Sequence, residues 1–383
     1  MRKLFYVNCF ISIVFTAAAQ ERIADPRITF ANTITAEELK EHLYILASEK
    51  LEGREAGEQG QKLAAEYMRN YFESIGIPPV PAFNSYYQTF DLWQSGWGEM
   101  YMTAGENKYT FIRDFYAYPN SGKAADINTN EVLFLGYGID DTMYSDYANV
   151  DVKDKVILVL KGEPVMNGRS VITGTGDLSA WSSDWKRKIE MATEKGVKAI
   201  LLVDDNIDKV VTNKYLVEYL RGTSLKLPAD VKPVTYCSYA FISPQIANDL
   251  FSAKKLEKAK RKIANATPAH FTAKTNLHYT FEKIEQIITT ENVLAYIEGG
   301  ELKEELIVVS AHYDHLGIHG DAIYYGADDD GSGTVGLLEL AEALMEAKKA
   351  GFTLKRSVLF IGFTAEEKGL YGSEYYASDP VFP

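Results

Sequence analysis

Cysteine is nearly absent. The 383 residues hold 2 of them, Cys9 and Cys237, and Cys9 falls inside an N-terminal run that reads as an export signal. The mature chain then keeps Cys237 alone, which excludes an intramolecular disulfide and a cysteine-based metal site. Long apolar runs are missing as well. No stretch beyond the N-terminus approaches the ~20 residues that a spanning helix needs, so stable membrane insertion is not expected. Positive charge is in deficit: 40 Lys and Arg face 53 Asp and Glu, a formal charge of −13, and so acidic a surface argues against nucleic acid as a partner. Low complexity is not in view either. With 46% hydrophobic and 24% charged residues the composition is that of a globular chain, long enough for two or three domains with separate cores.

The N-terminus carries the marks of export. Arg2 and Lys3 precede an apolar run over residues 4–15, and Ala17, Ala18 and Ala19 supply the small side chains a signal peptidase requires. The expectation is a signal peptide over residues 1–19 and a protein that is secreted or periplasmic.

Further along, Thr35 and Glu38 form a capping box that opens a helix. A second helix is predicted over about 59–75, ending at Gly76 with Pro78 beyond. Between them lies the glycine-rich LEGREAGEQG, where Arg54 suits either a carboxylate or, as the favoured reading, the carbonyls of its own loops. Residues 86–111 are aromatic and extended. Residues 131–138, 155–160 and 199–203 are short buried-type strands of a separate small α/β unit, followed by a basic helical stretch at 254–262 that reads as a solvated face. From residue 290 regular alternation resumes, with NVLAYIEG and ELIVVS joined over 299–304 in what reads as a hairpin.

Chemistry concentrates in residues 306–371. Apolar runs at 306–310 and 357–363 flank an amphipathic segment, the pattern of a βαβ unit. His312 and Asp314 follow the first strand, Glu366 and Glu367 the second, and Asp328, Asp329 and Asp330 lie between, all at the carboxyl edge where such folds place their sites. Carboxylates converging on one crevice repel one another and call for a cation. Oxygen ligands alone suit Mg²⁺ or Ca²⁺, and a histidine among them shifts the expectation to Zn²⁺ or another transition metal. An acid of either cluster is also free to cap the helix that follows it. His42, His270, His278 and His319 have no such company and read as core or surface residues.

These segments, HYDHLG, GADDDGSG and TAEEKGLYGS in this order, resemble the two-zinc exopeptidase family of secreted aminopeptidases, glutamate carboxypeptidases and glutaminyl cyclases. EVLFLGYGI and YSDYANVDVKDKVILVLKG resemble the protease-associated domain that many members carry as an insertion. The resemblance implies an α/β fold with a doubly wound, mostly parallel sheet. It divides the chain into 20–125 (first part of the peptidase domain), 126–265 (the protease-associated insert) and 266–383 (the peptidase core). It makes His312 a ligand of one zinc with Asp314 orienting it, Asp329 the acid bridging two Zn²⁺ ions, Glu366 the general base and Glu367 a ligand of the second zinc. The family completes its shells with a further Asp and a later His that nothing here matches, so the resemblance leads one to expect a truncated chain with a sheet incomplete at the C-terminal end. The function implied is that of an exported zinc aminopeptidase, cleaving N-terminal residues from peptide substrates through a metal-activated water. A carboxypeptidase or dipeptidase of the same fold, or a non-catalytic binding protein with incomplete metal shells, are the alternatives. Oligomeric state leaves no mark in the sequence.

Overall fold

The computed structural model describes residues 25–382, so the expected signal peptide lies outside the described residues. Thr35 caps helix α1 (Ala36–Leu46) by accepting from the Glu38 N–H at 3.2 Å while its hydroxyl donates to the Glu38 carboxylate at 2.7 Å. The side chain thereby satisfies one of the N–H groups a helix start leaves open. Helix α2 (Gln59–Ser74) buries Ala64, Met68 and Phe72 along one stripe. No helix among the described residues is long and apolar enough to cross a membrane.

Strands β1 (Tyr87–Ala104), β2 (Ala125–Leu135), β3 (Val156–Leu160), β4 (Ala199–Val203), β5 (Ser238–Ile242), β6 (His270–Ile297), β7 (Leu302–His312) and β8 (Arg356–Phe363) join one large mixed sheet. Its α/β class is the one expected. Two parallel blocks sit within it: β2, β3, β4 and β5 in order at one end, and β7 with β8 at the other. β6 links the blocks, pairing antiparallel with β2 through its first half and with β8 through its last residues, while β1 runs antiparallel beside it. Each block has its own buried cluster. Phe134, Leu158, Leu201 and Phe241 belong to the first, and Met68, Phe72, Leu338 and Phe360 to the second.

Helix α3 (Ser332–Lys349) connects β7 to β8 as the crossover of a parallel pair, so the βαβ reading holds. Two details differ from expectation. Residues 299–304 do not close a hairpin, because β8 lies between β6 and β7. And β7 is an edge strand with Ile307 and Val308 about half exposed, whereas β8 is buried along 357–362. The two runs are alike in apolar content, and position in the sheet, which the local sequence does not encode, separates them.

Where α3 crosses α1 and α2, Glu339 is 2% exposed. It faces His42 at 3.2 Å, with Glu38, Glu342 and the hydroxyls of Tyr67 and Tyr71 in the same patch. Burial, then the charges of Glu38 and Glu342, push its carboxyl up to about 7. The folded state therefore holds a proton that the unfolded chain releases near ~4.3, and stability falls as pH rises from there through 7. Glu339→Gln removes the charge at nearly the same size, and the Oε1 that faces His42 has no hydrogen bond to lose. Its gain over wild type in urea melts is expected to be larger at pH 8 than at pH 4.5 by about 1 to 2 kcal/mol, a figure that allows for solvent screening under a thin covering layer. Equal gains at both values would contradict this assignment.

Candidate metal centre

Strand β7 ends at His312 and the loop after β8 carries Glu366 and Glu367, so the parallel pairing of β7 with β8 brings both sets to one edge. The acids before α3 complete the arrangement, and all five residues singled out in the sequence converge. Asp329 is central. Its Oδ1 lies 3.1 Å from His312 Nε2, and one of its carboxylate oxygens falls within 4.8 Å of ligand atoms on His315 and Glu367. Glu366 approaches His312 Nε2 at 3.7 Å. Asp329 is 69% exposed at its side chain while His312 is 14% exposed, so the site is a shelf open to solvent on the side of Asp329.

The neighbouring acids have other duties. Asp330 Oδ1 accepts from Gly333 N at 3.0 Å, capping α3, and its Oδ2 accepts from His312 N at 3.1 Å. The Thr334 hydroxyl donates to the His312 carbonyl at 2.9 Å, a second tie between the helix start and the strand end. Asp314, fully buried, accepts from the Glu366 N–H at 3.1 Å. It meets His312 differently from the expectation: its backbone carbonyl lies 3.2 Å from Nδ1 and its carboxylate 3.7 Å away. The carbonyl is therefore the nearer partner of the ring, and the carboxylate acts on it through charge while fixing the loop of Glu366.

His315 was not singled out from the sequence. Its Nδ1 comes within 2.6 Å of Glu367 Oε1, yet neither atom has a well-directed hydrogen bond, and Asp314 Oδ2 lacks one too. The signal that points to it is a second imidazole three residues after His312 in HYDH. Gly326 makes room for it. A Cβ there would lie 2.5 Å from the His315 ring and 2.6 Å from the Asp329 carbonyl, and its φ of +55° is left-handed, a region open to glycine.

The electrostatics favour a cation. Burial opposes charge on His312, but Asp314, then Glu366 and Asp330, hold its imidazole up at about 9. Glu367 is pushed above the usual glutamate range by burial, against the pull of His315 and with a further push from Asp329. Three buried polar atoms without hydrogen-bond partners, Asp314 Oδ2, His315 Nδ1 and Glu367 Oε1, lie amid this charge. The donor set fits a divalent transition-metal ion, which accepts imidazole nitrogen and carboxylate oxygen together.

Fold and site thus define an α/β protein with a candidate nitrogen–oxygen metal site at the carboxyl edge of a parallel strand pair. Residues 292–382, the segment that carries the acids, match the model of peptidase family M28. Aminopeptidase Y of Saccharomyces cerevisiae is 32% identical over 102 residues, 27% of this chain and 17% of that protein. A "probable glutamate carboxypeptidase" of Arabidopsis thaliana is 36% identical over 104 residues, 27% of this chain and 14% of that protein. The chain therefore matches less than a fifth of the length of either relative. Among solved structures, an aminopeptidase from Aneurinibacillus sp. strain AM-1 aligns over 92% of this chain and 68% of its own, with a TM-score of 0.48 and 21% identity.

Proposed function

We propose that this protein is an exported zinc-dependent aminopeptidase that removes N-terminal residues from peptides. The observation that carries the reading is the place of Asp329, 3.1 Å from His312 Nε2 and within 4.8 Å of ligand atoms on His315 and Glu367. His312 and Asp329 would hold one zinc ion, and His315, Asp329 and Glu367 a second. When bound, zinc supplies a Lewis acid that polarises a peptide carbonyl and makes a water nucleophilic at neutral pH.

The chain supplies the rest. Glu366 stands at the rim with its carboxylate outside the Asp329–His315–Glu367 group, so it is free to take a proton from the attacking water and return it to the departing amine. Asp314 fixes the backbone of Glu366 from below. The acidic shelf attracts the α-ammonium of a free N-terminus, the feature that distinguishes an aminopeptidase substrate. Export is supported by the apolar run behind Arg2 and Lys3 and the alanines at 17–19.

The insert bears on access. Leu225, within its short strand Ser224–Lys226, packs with Ala56, Phe90, Leu92 and Ala365, the residue before Glu366. A wall at that place restricts the cleft to short or flexible peptides, in keeping with a protease-associated role for 126–265.

The carboxypeptidase names among the relatives keep that alternative in view, but two cations at the site are already engaged. Arg54 donates to four backbone carbonyls, and Lys368 pairs with Glu55 at 2.7 Å. Recognition of a substrate carboxylate would have to break one of these. With zinc supplied, leucyl and alanyl p-nitroanilides are expected to be cleaved at least tenfold faster than their N-acetyl counterparts. Equal cleavage of the blocked substrates would sink the aminopeptidase assignment.

A further inference from the structure

We infer that Arg54 is a positioning residue for the metal centre, the guanidinium that locks the two ligand-bearing loops into one frame; this rests on the function proposed above. Arg54 is fully buried. Its Nε donates to the Tyr313 carbonyl at 2.6 Å, Nη1 to those of Leu46 at 2.6 Å and Tyr325 at 2.7 Å, and Nη2 to that of Gly326 at 2.8 Å. Tyr313 lies between His312 and Asp314. Gly326 supports the His315 ring and precedes the acids by two residues. The backbone carbonyl of Arg54 adds a fifth tie by accepting from His315 N at 3.1 Å. One residue thus fixes the strand-end loop of both histidines against the loop of Asp329, some 260 to 275 positions away in the chain.

Three further observations separate this from ordinary loop packing. Arg54 has a φ of +57°, a left-handed conformation in which bulky side chains are uncommon and which persists where surrounding contacts enforce it. Gly53 beside it is pressed beneath the second loop, since a Cβ there would lie 2.4 Å from the Tyr325-adjacent carbonyl of Tyr324. Burial works against charge on the guanidinium, and the nearby carboxylates of Asp314, Asp330 and Glu367 favour it. A buried cation below the shelf offsets part of the repulsion among the acids, so the ligands hold their places. Lysine is no substitute. Its donors sit on one atom and cannot span carbonyls arrayed around a planar fork.

The test compares wild type, Arg54→Lys and Arg54→Met as purified proteins. Bound zinc is measured against buffered free zinc, kcat and KM on an aminoacyl p-nitroanilide at saturating zinc, and cooperative melting of the metal-free proteins. Removal of supports of this kind lowers metal affinity by about 10- to 100-fold, and that loss is expected in Arg54→Met, with a smaller one in Arg54→Lys. At saturating zinc, kcat is expected to fall by ~10-fold or more with KM within about threefold, since misplaced ligands impair the reaction more than substrate capture. Wild-type zinc affinity and kcat in a folded Arg54→Met would overturn the inference, as would failure of both variants to fold, which would assign Arg54 to the fold. A wild type that binds no zinc overturns the function reading as well; unchanged variants overturn this one alone.

Discussion

Replacing Glu366 with glutamine is expected to lower kcat by about 10²- to 10⁴-fold, the range for loss of a positioned general base, while bound zinc stays at the wild-type level. Glu366 lies 3.7 Å from His312 Nε2 but outside the group formed by His315, Asp329 and Glu367. The amide keeps the size of the side chain, and the Asp314 bond to the backbone N–H of residue 366 is untouched. Only the capacity to take a proton is lost. Kinetics on an aminoacyl p-nitroanilide, with metal content measured on the same sample, decide the matter. Turnover within threefold of wild type removes Glu366 as the base, and zinc lost in parallel makes it a ligand instead.

Asp329→Asn is expected to do more damage, because one substitution weakens both half-shells. A neutral amide offers a poorer oxygen to a metal and no charge to balance it, so zinc retention after dialysis and turnover should fall together, with turnover at or below that of Glu366→Gln. The neighbours provide the controls. Asp328 is exposed and carries no side-chain hydrogen bond among those described, and Asp328→Asn is expected to leave zinc content unchanged. Asp330→Asn weakens the α3 cap and the tie to His312 N, so a loss of stability of about 1 kcal/mol is expected there. If Asp328→Asn lost zinc and Asp329→Asn kept it, the sequence position of the shared acid would be wrong by one residue.

Much of this site is legible in the sequence because its chemistry sits at the ends of strands. Runs of β-branched and apolar residues at 306–310 and 357–363, with a helical period between, allow few packings other than a parallel pair with its crossover, and that geometry alone brings His312 together with Glu366 and Glu367. The doubled role of the aspartates was also readable: one acid caps α3, and another is left at the centre. His315 was less so. It follows Asp314 directly, and its approach to Glu367 depends on the turn at Gly326, which brings a loop from later in the chain beneath the ring.

Other features depend on distant pairing. β6 carries a charged middle, FEKIEQ, and its sequence suggests a strand only near its end, whereas the structure runs it from His270 to Ile297 because β1 lies alongside. The placement of β8 between β6 and β7 turned an apparent hairpin into a crossover and left Ile307 and Val308 on an open edge. Arg54 is the clearest case. Its loop composition favours carbonyl partners, as found, but apart from Leu46 those carbonyls lie in segments some 259 to 272 residues onward, and no local pattern names them.

Asp329 is proposed to hold metal in common between His312 on the one hand and His315 with Glu367 on the other. Diffraction from zinc-soaked crystals at the zinc absorption edge tests it most directly. An anomalous peak is expected within about 2.0 to 2.2 Å of ligand atoms of His315, Asp329 and Glu367, and a second beside His312 and Asp329. Crystals saturated with zinc that show no peak at Asp329, or peaks only at surface acids elsewhere, would contradict it.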